Sequence, residues 1–135
     1  MNDLADNNAP PAAWLDLCAR DELAAGELRE RRPARYPELS LIVLCEAGGA
    51  MHAWLNVCPH QGRPLNLAPD RFLRTGAGEL VCAAHGATFA LPGGECIGGP
   101  CRGPALRRLP ARLSAAGRIE SDAAGIPGPD DGAGD

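Results

Sequence analysis

Lysine is missing altogether from this sequence: all thirteen basic residues are arginine. Ala, Gly and Pro are abundant, so we read this as base composition of the source genome rather than as a function. Aromatic residues are scarce, whereas Gly and Pro together make thirty residues (17 + 13). That balance predicts many turns and short elements rather than long helices. No apolar run approaches the eighteen or so residues of a membrane span, which excludes a spanning helix. No secretory leader is expected, because residues 1–13 are polar and Pro/Ala-rich with no apolar centre. Arg31-Arg32 resembles a twin-arginine pair, but it lies far from the start, and the short run Leu39 to Cys45 after it reads better as a strand. A soluble, cytoplasmic protein is expected.

At 135 residues the chain is one domain's worth. Its net charge of −4 is unevenly spread. Residues 1–57 carry nine acids and five Arg, residues 58–118 three acids and eight Arg, and residues 119–135 five acids and no base. This fits a solvated surface with an acidic tail; a sharper reading is an Arg-rich region that meets an acidic partner face. No nucleic-acid partner is expected. Six cysteines could form a disulfide framework only in an oxidising compartment. Packed thiols are therefore expected at Cys18, Cys45, Cys96 and Cys101, although the last two could pair.

Residues 1–12 lack periodicity and are expected to be disordered, as is the acidic, Gly- and Pro-containing tail 121–135. Between them one domain, 13–120, reads as mainly antiparallel β. Strands are predicted from Trp14 to Cys18, Glu27 to Arg32 (an edge), Glu38 to Glu46 and Met51 to Val57. Further ones follow at Leu80-Val81 and Thr88 to Leu91, with a final pair at Leu106 to Leu113 and Gly117 to Glu120. Pro92-Gly93-Gly94 is a hairpin signal. His52 falls within a strand and reads as a packing or surface residue.

Two stretches carry chemistry: Cys58-Pro59-His60-Gln61-Gly62 and Cys82-Ala83-Ala84-His85-Gly86. Each offers one thiolate and one imidazole on what should be a tight loop. Facing each other, they would supply two sulfur and two nitrogen ligands. A Cys₂His₂ set also suits structural zinc, but zinc fingers normally pair Cys with Cys and His with His. One of each per loop is the spacing of a [2Fe–2S] centre in which two histidines replace two cysteines on one iron. Gly62 and Gly86 fit such a site, since main-chain N–H groups must approach the inorganic sulfides closely.

With CPHQGRPLNL, LVCAAHGATF and GGECIGGP as the matching text, the sequence resembles a Rieske [2Fe–2S] ferredoxin-type domain over about residues 13–120. The resemblance implies antiparallel β layers with a small cluster-binding subdomain of two ligand hairpins, about residues 56–101. It implies one cluster per chain, with Cys58 and Cys82 on a buried iron and His60 and His85 on an exposed one through Nδ1. Gly99-Pro100 matches the proline loop that covers the cluster on its third side. Two ferric irons, two sulfides and two thiolates sum to zero charge, against −2 with four cysteines, so reduction is easier.

Three departures refine the class. Arg63 and Ala84 stand where cytochrome bc-type relatives place cysteines that form a disulfide. Ala87 and Phe89 replace a Ser and a Tyr whose hydroxyls bond to sulfur, and the segment between His60 and Cys82 is slightly long. Together they resemble the low-potential, soluble branch. The implied role is one-electron transfer from a reductase to an oxygenase or similar enzyme, not catalysis; no catalytic constellation is found. The alternative is a small subunit or accessory component of a larger oxidoreductase, resembling the nitrite reductase small subunit. A complete Rieske oxygenase is excluded, because its mononuclear iron needs two more histidines and only His52 remains.

Overall fold

A computed structural model describes residues 14–59, 64–84, 86–99 and 105–122. The expected N-terminal tail, the acidic tail beyond Asp122, and His60, Gly62, His85, Pro100 and Cys101 lie outside the described residues. Eleven strands form three antiparallel sheets. β1 (Trp14–Ala19), a single 3-10 turn (Arg20–Glu22), β2 (Leu28–Arg31), β3 (Leu41–Cys45) and β4 (Met51–Leu55) come first. Four short strands follow: β5 (Leu73–Arg74), β6 (Leu80–Val81), β7 (Thr88–Phe89) and β8 (Cys96–Gly98). β9 (Arg108–Leu109), β10 (Ala111–Leu113) and β11 (Arg118–Asp122) complete the chain. The strand orders are β1-β11-β10, β2-β3-β4-β9 and β5-β6-β7-β8. No helix among the described residues is long and apolar enough to cross a membrane.

The run Leu41–Cys45 explains how the layers stack. A strand sends alternate side chains to opposite faces, so five consecutive apolar residues bury both faces. All five are buried. Leu41, Val43 and Cys45 join one core with Leu17, Cys18, Leu23, Leu109 and Ile119, against the sheet of β1, β11 and β10. Ile42 and Leu44 join the other core with Trp54, Leu65, Leu80 and Phe89, against the small sheet. β4 divides likewise, Ala53 to the first core and Trp54 to the second. The central sheet is therefore the middle layer of three.

Several expected boundaries shift. The single strand expected from Leu106 to Leu113 is two, interrupted at Pro110: β9 pairs with β4 in the central sheet, and β10 with β11 in the terminal sheet. Proline has no N–H to donate to a ladder, and the chain changes sheets there. The last strand runs to Asp122 rather than stopping at Glu120. Ser121 is fully buried, and its hydroxyl donates to the Pro110 carbonyl at 2.8 Å. β5 and β8 fall where no strand is predicted, and β2 lies at an edge as expected.

Candidate metal centre

The two cysteines of the ligand stretches are delivered by different layers. Cys58 follows β4 of the central sheet, and Cys82 follows β6 of the small sheet directly. Each is 1% exposed, and both belong to the core that those two sheets enclose. Neither is in a disulfide. Cys82 to Ala84 and Gly86-Ala87 lie between β6 and β7, whose register pairs Leu80 with Phe89 and Val81 with Thr88. The Cys82 N–H donates to the Ala87 carbonyl at 2.7 Å, and the Gly86 N–H donates to the Cys82 carbonyl at 2.9 Å. Gly86 has φ +83°, a conformation that side-chain-bearing residues rarely adopt. The Ala83 N–H donates to the Leu65 carbonyl at 3.2 Å, which ties the second stretch to the residues just after the first.

A third segment closes on these. Gly99 has φ +80°, and a Cβ there would lie 2.5 Å from the Gly86 carbonyl oxygen and 2.8 Å from Ala87 Cα. Only a residue without a side chain allows two backbones so close. The sequence reading singled out Gly99 as part of a proline loop but missed this contact with Gly86, which no local pattern could have shown.

The donor set fits a sulfur-ligated iron site in what is visible of it. Two soft thiol donors, Cys58 and Cys82, sit buried in one apolar core. The other expected donors, His60 and His85, lie outside the described residues, as do Gly62 and Pro100. Among the described residues no group of three His, Cys, Asp or Glu side chains is close enough to hold a metal.

Ala87 and Phe89 are buried in the same core, so two positions near the thiols lack hydroxyls. Thr88, between them, donates its hydroxyl to the Gly86 carbonyl at 3.1 Å.

The other cysteines divide. Cys18 and Cys45 are packed thiols as expected, and burial pushes both thiols up in pKa. Cys96 departs from expectation: it is disulfide-bonded. Cys18, Cys45, Cys58 and Cys82 are all outside disulfides, and Cys101 lies outside the described residues. The register of β8 holds Cys96 opposite Phe89, a placement invisible in a stretch where no strand is predicted. His52 is a packing residue, 7% exposed and stacked on Trp54. Its Nδ1 accepts from Arg108 at 2.9 Å and its Nε2 faces the Glu46 carboxylate at 2.5 Å. Because arginine only donates, the proton resides on Nε2.

Known proteins share this fold. Over 84 residues the chain is 31% identical to the ferredoxin component of the alkene monooxygenase system of Xanthobacter autotrophicus, covering 62% of each chain. It thus spans about six-tenths of that relative's length. The ferredoxin of carbazole 1,9a-dioxygenase from Nocardioides aromaticivorans has the same fold, with a TM-score of 0.64 at 17% identity, over 82% of this chain and 98% of that one. A protein assigned as the NADH-dependent nitrite reductase small subunit of Mycobacterium tuberculosis gives 0.62 at 23% identity, over 85% and 98%. The sequence pattern of the Rieske [2Fe-2S] domain matches residues 13–115, most of the chain, and the chain belongs to that family.

Proposed function

We propose that this protein is a one-electron carrier, holding one Rieske [2Fe–2S] cluster through Cys58, His60, Cys82 and His85. One observation carries the reading: two buried thiols outside disulfides, delivered into one core by strands of two sheets. When bound, such a cluster accepts and returns a single electron. The chain's own residues hold and shield it. Gly62 and Gly86 would let the main chain come close to the cluster, Pro100 would help to cover it, and Leu65, Leu80 and Phe89, buried in the same core as the thiols, would keep water from it. The cluster-binding subdomain is residues 56–101 of a domain running from residue 13 to the end of β11, between a tail at 1–12 and an acidic tail beyond the last strand.

The partners are a reductase on one side and a terminal oxygenase or similar enzyme on the other. The ferredoxin component of the alkene monooxygenase system supports a freestanding carrier over a subunit of a larger oxidoreductase. A cytoplasmic site accords with the buried thiols of Cys18 and Cys45, while the disulfide at Cys96 runs against it. The test is spectroscopic: protein purified alone from iron-replete cells should be coloured and EPR-silent when oxidised. On reduction it should give the rhombic signal of a histidine-ligated [2Fe–2S] centre. Stoichiometric zinc without acid-labile sulfide would overturn the reading, and recovery of the cluster only with a large partner would favour the subunit.

A hydroxyl restored beside the thiols should tune the potential. Ala87 is 1% exposed in the core that holds both cysteines. A hydroxyl donated to sulfur stabilises the reduced, more negative form the more. Ala87→Ser is therefore expected to raise the reduction potential, by roughly 40–90 mV if the bond favours that form by ~1–2 kcal/mol. Voltammetry of the two proteins decides it, and an unchanged or lower value would show that the new hydroxyl does not reach a sulfur.

A further inference from the structure

Four polar side chains close a ring beneath the first ligand stretch. Asn56, two residues before Cys58, is 1% exposed. Its amide nitrogen donates to Ser40 Oγ and to Asn66 Oδ1, each at 3.0 Å. Ser40 Oγ donates to Glu30 Oε2 at 2.5 Å, and the Asn66 amide nitrogen completes the ring to Glu30 Oε1 at 3.5 Å. Asn56 Oδ1 accepts from the Leu65 N–H at 2.9 Å, and the Asn56 N–H donates to the Ser40 carbonyl at 2.9 Å. The ring thus fastens both ends of the stretch that carries Cys58 and His60, residues 56 and 65–66. It anchors them to Glu30 of β2 and to Ser40, the residue before β3.

Burying this many polar atoms adds little to stability over an apolar filling, because each bond replaces one made with water. What a satisfied ring adds is a single geometry: the amide has one orientation in which oxygen and nitrogen both find partners. An apolar side chain at 56 could fill the space, but it would leave the distance between residues 56 and 65 unset. Leu65 matters further, because its carbonyl accepts from Ala83 of the second ligand stretch.

We infer that Asn56 is a positioning residue for the metal centre, fixing the spacing of the two ligand stretches through its ring with Glu30, Ser40 and Asn66. The inference rests on the proposed [2Fe–2S] site. Asn56→Leu should shorten the cluster's lifetime in an iron chelator by about tenfold to a hundredfold, the usual cost of removing support behind metal ligands. It should also broaden or shift the EPR g values of the reduced protein, whereas far-UV circular dichroism stays that of the wild type. Ser40→Ala, which opens the ring but leaves the Asn56–Leu65 bond, should change the same two readouts less, and it decides the question if Asn56→Leu does not fold. Ile119→Val, in the other core, serves as a control that loosens packing without touching the ring. Unaltered g values and lifetimes in both ring variants, or equal shortening by Ile119→Val, would overturn the inference. A wild type without a cluster would overturn it together with the proposed function, whereas a normal wild type with silent ring variants would overturn it alone.

Discussion

Cys58→Ala and Cys82→Ala should each give colourless protein, with iron below about a tenth of the wild-type content and labile sulfide falling in step. A [2Fe–2S] cluster has no fourth ligand to spare, and among the described residues no other thiol is placed to stand in. Cys18 and Cys45 belong to the core on the far side of the central sheet. Burial there pushes both thiols up, away from the thiolate form that ligates metal. Cys96 is held in a disulfide. Cys45→Ala is therefore the matched control: it removes an equally buried sulfur, and the protein should keep its colour even if it unfolds more readily. Iron and sulfide analysis of the three variants settles the assignment. Wild-type iron in either ligand variant, or colour lost equally in the control, would remove that cysteine from the site.

The second large effect belongs to Gly99→Ala. Two costs combine there. An alanine at φ +80° pays about 1–2 kcal/mol for the left-handed backbone. Its Cβ would also meet the Gly86 carbonyl oxygen at 2.5 Å and Ala87 Cα at 2.8 Å, both main-chain atoms of the turn that follows Cys82. Such atoms cannot swing aside as a side-chain tip would, so residues 98–99 and 86–87 must separate. A loss of about 2–4 kcal/mol is expected, with faster bleaching of the cluster. Gly117→Ala isolates the contribution of the contact, because Gly117 has the same φ of +80° but open space where a Cβ would go. Denaturant unfolding of the two variants should separate them by the cost of the clash. If both lose the same stability, the close approach of the two segments is not what glycine provides at position 99.

Much of this architecture was legible because it is written in local pattern. The run Leu41–Cys45 is apolar at every position, and only a strand covered on both faces explains it in so short a length. The spacing of Cys58 with His60 and of Cys82 with His85 named the kind of centre, because each ligand chemistry has its own spacing. Other features depend on partners distant in sequence. β5 and β8 are two and three residues long, and they exist through their pairing with β6 and β7. Ser121 looked like the start of a polar tail, yet its hydroxyl is satisfied by a carbonyl eleven residues earlier. Asn56 gives no signal beyond standing near Cys58, since its partners come from residues 40, 65 and 66. Cys96 was read as a thiol from the expected redox compartment, an argument about the cell that says nothing about local geometry.

The pairing of β1 with β11 has a consequence for how the chain is made. Trp14 lies opposite Asp122, so among the described residues β1 finds its one backbone partner in β11, about a hundred residues later. More than a hundred residues must leave the ribosome before that ladder can close, and contacts of such separation form slowly. Until then Leu15, Leu17 and Cys18, all buried in the finished fold, belong to a strand with no neighbour. Asp16, placed among them, keeps the waiting segment charged until Arg118 arrives to meet it at 2.7 Å. A charge inside an otherwise apolar strand is of the kind that disfavours strand pairing between copies.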